Sequence, residues 1–414
     1  MCAAPTAIIE GIVDLHYDEA AYLWSQRDAA TTATNYTLSD LAFLDERLEA
    51  HIDGLRVAGD YGWGLCEAGL DPKDPGSVFV ASVIAFESGD KERIDLVVGA
   101  SGDSYAAFRA AVSGLGWMKV QRFNAMILGM VSAKSRPYRR IGIAACGVRR
   151  INPKTYLDQA VNSSDLFLKT LAFKAAGALK RLDLLPQLQK HFLHEDHGCR
   201  FEAARSALLL GDSSATETLG AFVLSNSDYT LPAMQVALRV VDGQTAKNWL
   251  KAQSKVAGLR RVMLIGTGIT GEPGYVPMLI KRMSQPEFAR ISGRAFSMIT
   301  GIDLEEHKLD TPEPEGFEAG PNDDPEDENV AMDPDEDLVW PHPEKVAQWW
   351  KQNASHFNVG TRYLAGSPVS PESCAEILQT SNQDTRYAAS LEIALSVAES
   401  TFPNVKAPGY TQYS

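Results

Sequence analysis

The chain has 414 residues, 45% of them hydrophobic and 8% aromatic, and a net charge of −14. That length ordinarily makes two or three domains, and the apolar fraction is that of a soluble globular protein. No apolar run approaches the roughly 18 to 20 residues that a membrane span needs, and the opening MCAAPTAIIEGIVDLH lacks a basic stretch and meets an acid at Glu10, so it is not expected to be a signal peptide.

In chain order, DEAAYLWSQRDAA (18–30) predicts a helix with Ala21, Leu23 and Trp24 on its apolar side, within an N-terminal segment 1–36. Thr37 is then placed as an N-cap, with Asp40 three residues on as its partner in a capping box. The helix it opens carries Leu41, Leu44, Leu48, Ile52 and Leu55 at steps of three and four, and Gly59 and Gly62 close it.

Four apolar runs then end in small or acidic turns at Asp183, Asp212, Asp242 and Glu272, spaced 29, 30 and 30 residues apart. Two short helices and two turns fill that period, the unit of a HEAT-like α-solenoid. Stepping backward reaches Asn152, a point near Gln121, and Asp90. The predicted fold is therefore all-α, with HEAT-like repeats over 37–302 in roughly seven or eight irregular units. The glycines of GTGITGEPG (266–274) lack the strand and the Lys of a phosphate loop and read as an inter-helix turn.

Residues 303–342 break the pattern with six prolines, Pro312, Pro314, Pro321, Pro325, Pro334 and Pro341. Between Asp303 and Asp337 stand 16 acidic residues and one Lys, while the rest of the chain holds 38 basic and 37 acidic residues. The acidity belongs to this one segment. Helical signals resume at Pro343, and PHPEKVAQWW, SPESCAEILQT and DTRYAASLEIALSV predict a C-terminal helical cap over 343–414, anchored by Trp349 and Trp350. The five cysteines, Cys2, Cys66, Cys146, Cys199 and Cys374, never take a CxxC spacing, which points to a reducing compartment and a cytoplasmic protein.

Three constellations are candidates for function. The acidic segment contains Asp323, Asp324, Glu326, Asp327 and Glu328 in one cluster and Asp333, Asp335, Glu336 and Asp337 in another. Summed charge of this kind selects a basic protein partner, whereas a solvated linker is the plain alternative. Calcium is a third reading of Asp333, Asp335 and Asp337, without the Gly and Glu of an EF-hand loop. Phe317, Val330 and Trp340, set among the charges, are expected to pin the segment while its carboxylates face outward as a partner-binding strip.

KHFLHEDHGCRFE places His191, His194, His197 and Cys199 within nine residues. Such side chains can ligate zinc, and His194–Glu195 superficially resembles the iron-holding pairs of HEAT-like hydroxylases. The spacing drifts around a helix and then leaves it, so the expectation is a polar turn and no metal or cofactor. A basic run, Lys134, Arg136, Arg139, Arg140, Arg149, Arg150 and Lys154, offers a face for phosphates, for the acidic segment or for a partner. A neutral scaffold with an acidic insertion weighs against nucleic acid.

The stretches DEAAYLW (18–24), LDERLEAHIDGLRVAGDYGW (44–63), AFSMITGIDL (295–304) and PEGFEAGPNDDPEDENVAMDPDEDLVWPHPEKVAQWW (314–350) together resemble an uncharacterised proteobacterial family of HEAT-like proteins often encoded beside type VI secretion genes. The resemblance covers nearly the whole chain, with the acidic block as its most specific part. It implies an accessory protein of the bacterial cytosol, an immunity protein or an adaptor for a secreted toxin or effector. The expected function is non-enzymatic protein binding. A metal-dependent enzyme at the His191 cluster and a HEAT-like nucleic-acid binder at the Arg139 patch are the alternatives.

Overall fold

A computed structural model describes residues 8–119, 123–321, 331–396 and 402–412. Among the described residues the protein is all-α, with 21 α-helices joined by short turns and 3-10 segments. Among these residues the one small sheet pairs Tyr363–Leu364 with Ser367–Pro368. Among the described residues no helix is long and apolar enough to cross a membrane.

Local chemistry explains most of the helix boundaries. Thr37 accepts the Asp40 N–H while the Asp40 carboxylate accepts the Thr37 N–H at 2.9 Å, the reciprocal box expected from the sequence. Helix Leu38–Ala58 buries Leu41, Leu44, Leu48, Ile52 and Leu55 on one face. It ends at Gly59, whereas Gly62 lies inside the next helix, Asp60–Ala68. Asp74, Asp90, Asp165 and Asp242 each cap a helix by accepting N–H groups of its first turn. The first helix is longer than its sequence pattern, running Glu10–Ala30.

All four periodic positions lie at breaks between helices. Asp183 sits in a 3-10 turn, Asp212 follows helix His197–Leu209, Asp242 caps Gly243–Gln253, and Glu272 caps the 3-10 turn Pro273–Tyr275. The glycine stretch 266–274 divides differently from its reading as one turn. Gly266 and Gly268 are buried inside helix Arg260–Thr270, and the turn starts at Gly271. Gly271 has φ +66°, and a Cβ there would lie 2.2 Å from the Tyr363 carbonyl oxygen, so the position requires glycine.

Two compact units share the chain. One comprises residues 1–32, 36–206 and 404–414, and the other 33–35 and 207–403. The division falls inside the region read as repeats, and the last residues return to the first unit, unlike the segments 1–36, 37–302, 303–342 and 343–414 drawn from the sequence. In the first unit, helix Glu10–Ala30 packs on Leu38–Ala58 and on Pro75–Ser88. Pro75–Ser88 packs on Tyr105–Trp117, that helix on Arg136–Arg149, and that one on Leu166–Ala178. Trp24, Phe79 and Trp117 fill its core, with Trp24 stacked on Phe79 at 5.2 Å.

The chain's end closes the first unit. Gly409 N–H donates to the Asp45 carboxylate at 2.6 Å, and Tyr410 Oη donates to the Trp117 carbonyl at 2.8 Å. Asp45 is also paired with the buried Arg27 at 2.7 Å, so the carboxylate is satisfied from two sides.

In the second unit, Thr230–Ala237 packs on Arg260–Thr270, which packs on Pro286–Thr300. Helix Pro343–Asn353 packs on Val276–Arg282, and Trp349 meets Phe296 edge-on at 5.6 Å, the anchoring role expected of it. Trp350 packs on Phe357 at 5.3 Å. Helices Pro371–Thr380 and Gln383–Ser396 form the expected pair, and Glu392 takes ion pairs from the buried Arg239 at 2.6 Å and from Arg362.

Candidate partner-binding segment

Helix Pro286–Thr300 presents Arg290 between the buried residues Ala289 and Ile291, and Arg290 itself is 6% exposed. A guanidinium on a buried face needs a counter-charge and hydrogen-bond acceptors. Asp333 supplies both at 2.5 Å. The aromatic residues complete the enclosure, with the Trp340 ring 4.6 Å and the Phe317 ring 5.4 Å from the guanidinium carbon. Those two rings meet edge to face at 4.8 Å. Arg261 pairs with Asp335, which is 5% exposed, and the Asp335 N–H donates to the Asp333 carboxylate at 2.9 Å.

Backbone bonds tie down both ends of the segment. Thr311 N–H donates to the Trp340 carbonyl at 2.9 Å and His342 N–H to the Leu309 carbonyl at 2.7 Å. Leu304 and Leu309 are buried beneath it. Burial raises the Asp333 carboxyl, but the Asp335 amide and the Arg290 guanidinium outweigh it and hold the group below the usual carboxylate range.

The pinning expected of Phe317 and Trp340 is present. The outward direction expected of every carboxylate is not. Asp333 and Asp335 turn inward because Arg290 and Arg261 offer fixed, partly desolvated counter-charges that solvent cannot match. Trp340 is likewise buried and serves as an anchor. Asp337 is exposed, together with Asp303, Glu305, Glu306, Glu313, Glu315, Glu318 and Glu336. None of these eight joins an ion pair among the described residues. Asp323, Asp324, Glu326, Asp327, Glu328 and Val330 lie outside the described residues.

Arg290 and Arg261 escaped the sequence reading, which looked for counter-charges in the clustered run Lys134–Lys154. A readable signal was present at Arg290, a cation flanked by apolar residues on the inward face of an amphipathic helix.

The basic run does not form one surface. Arg140 is committed to Asp165 at 2.9 Å and lies over the Phe167 ring. Arg149 donates to the carbonyls of Leu115 and Met118 at 3.0 and 2.7 Å. Arg139 donates to the carbonyls of Ala133 and Lys134, and Arg150 takes the left-handed conformation at its helix end, half-buried. Burial lowers Arg150 to about 10. Only Lys134, Arg136 and Lys154 of the seven are exposed. Contiguity in sequence spreads these residues around one helix and its two ends, and the core consumes most of their donors.

His191, His194 and His197 lie in the turn before helix His197–Leu209 and at its first residue, the polar turn expected. The His191 ring bonds the Gln187 carbonyl oxygen through Nδ1 at 2.8 Å, and stacks on His194 at 5.5 Å. Among the described residues no group of three or more His, Cys, Asp and Glu side chains is placed to hold a metal ion. Cys66, Cys146, Cys199 and Cys374 are buried free thiols, and burial pushes Cys66 and Cys146 up to about 12, so they are protonated and poorly nucleophilic at neutral pH.

No family model matches the chain, and no curated protein compared with it matches either.

Proposed function

We propose that the protein is a non-enzymatic protein-binding scaffold of HEAT-like helical repeats, serving as a cytoplasmic immunity protein or effector adaptor beside a type VI secretion system. The packing of alternate helices on one another, from Pro75–Ser88 to Leu166–Ala178 and from Thr230–Ala237 to Pro286–Thr300, suits such repeats. The partner is a basic protein domain, a secreted toxin or effector, and the acidic segment is its docking strip.

One observation carries this reading. The segment is anchored by Arg290, Arg261, Phe317 and Trp340, yet eight of its carboxylates remain exposed and outside any described ion pair. Like charges held close together on an ordered support repel one another, and a cationic surface relieves that repulsion on binding. An unanchored linker would relieve it by spreading out instead.

The test is a capture experiment from the native strain with the tagged chain, followed by binding measurements on the purified partner over a salt series. Replacing Glu313, Glu315, Glu318, Glu336 and Asp337 by Gln or Asn is expected to weaken binding and flatten its salt dependence while leaving the melting temperature unchanged. Unchanged affinity and salt slope would remove the acidic strip as the recognition surface. A captured partner with an acidic binding domain would remove the reading altogether.

A further inference from the structure

His16 stands on helix Glu10–Ala30 and His51 on helix Leu38–Ala58, and these two helices pack directly together. Their Nδ1 atoms are 3.2 Å apart, with ring centroids 5.2 Å apart and planes inclined at 71°. Both rings are half-buried, and neither has another hydrogen-bond partner among the described residues. The fold makes room for the pair at Gly54, one turn beyond His51. A Cβ there would lie 2.3 Å from the His16 ring. Glycine in the middle of a helix costs about 1 kcal/mol relative to alanine, and here it admits the imidazole.

Two neutral imidazoles approach this closely in one of two ways. One Nδ1–H donates to the other Nδ1, or both Nδ1 lone pairs face a shared cation. Zinc–nitrogen bonds of about 2.0 to 2.1 Å at a tetrahedral angle set two ligating nitrogens about 3.3 to 3.4 Å apart. The observed 3.2 Å is close to that bite. Burial and the neighbouring His16 hold His51 below the ordinary histidine range, Arg47 adding to this and Glu19 opposing it. Metal ligation takes the lone pair of a neutral imidazole. Glu19, one turn past His16 on the same helix and half-buried, brings negative charge to the pair and partly offsets Arg47.

We propose that His16 and His51 form a cross-helix site for a divalent transition-metal cation, Zn²⁺ in the first place, with water completing its coordination. Two protein ligands on two rigid helices make an exchangeable site that clamps the first helix pair. It is no closed structural centre, which takes four protein ligands. Imidazole donors also accept Ni²⁺ and Cu²⁺.

The test titrates ZnCl₂ into the full chain by calorimetry and by thermal melting. One saturable Zn²⁺ per chain is expected, with a melting temperature that rises with zinc concentration, as binding to the folded state alone requires. Removing even the hydrogen-bond partner of a metal-bound histidine costs about 10- to 100-fold in metal affinity, so His16→Ala and His51→Ala should each cost at least about tenfold. His191→Ala, in the other histidine cluster, should leave the affinity unchanged. Cu²⁺ added to the wild type should show electron paramagnetic resonance coupling to two nitrogens, and to one in either variant. His16→Gln and His51→Gln, which keep a hydrogen-bonding side chain without the ring, serve as folded controls. Zinc binding that is absent, unsaturable or indifferent to His16 and His51 in folded protein overturns the proposal. The two rings are then only a hydrogen-bonded pair.

Discussion

Arg290 and Trp340 lie 50 residues apart in sequence and in contact in space, the guanidinium carbon 4.6 Å from the indole centroid. Asp333 closes the other side of the same guanidinium. Breaking a buried pair by removing one partner costs about 3 to 5 kcal/mol, because the other charge is left uncompensated. Asp333 is slightly less buried than Arg290, so Arg290→Ala is expected near the lower end, about 3 kcal/mol by urea denaturation. Arg290→Lys keeps the charge but not the planar fork or the stacking, and should fall between the two. A loss below about 0.5 kcal/mol, the size of an ordinary surface change, would show that the stack does not hold the segment.

The pH dependence follows from the same pair. The folded-state Asp333 carboxyl lies below its ordinary value of 3.8. Its contribution to stability is therefore full above 3.8 and is lost as pH falls from there through the folded value. Asp333→Asn should be less stable than wild type at pH 7, and the gap should close in acid. A stability difference that stays constant from pH 7 to pH 3 contradicts this account.

Gly409 approaches helix Leu38–Ala58 so closely that a Cβ would lie 2.7 Å from both the Cα and the Cβ of Ala42. Gly409→Ala cannot be accommodated without moving the chain's end away from Asp45. Overpacking of this kind typically costs about 1 to 3 kcal/mol, and withdrawing the backbone N–H of residue 409 leaves the buried Asp45 short of a donor. The expected readout is a lower melting temperature and early proteolytic removal of residues 404–414. A variant as stable and as protected as wild type would mean that the tail is not part of the first unit's core.

Thr37 offers a smaller, local test. Thr37→Ala removes the side-chain half of the capping box on helix Leu38–Ala58, with an expected loss of about 1 kcal/mol, and Thr37→Ser should retain most of it. Equal losses for Ala and Ser would point to the methyl group's packing rather than the cap.

Sequence by itself determined the all-α class and many of the helix breaks, because those depend on interactions within one turn. Thr37 and Asp40 are three residues apart, Leu41 to Leu55 share a face at steps of three and four, and Asp242 caps the helix that begins at the next residue. The anchors Phe317 and Trp340 were legible for a similar reason, as large apolar side chains stranded in a charged segment. What only the tertiary structure decided is which charges meet. Arg261 finds Asp335 across 74 residues, Arg290 finds Asp333 across 43, and His16 meets His51 across 35. Gly409 reaches Asp45 across 364. No periodicity encodes such pairings. They arise when helix packing removes water from particular cations and leaves each one needing a carboxylate, so two acids of the segment are drawn inward while eight others remain exposed.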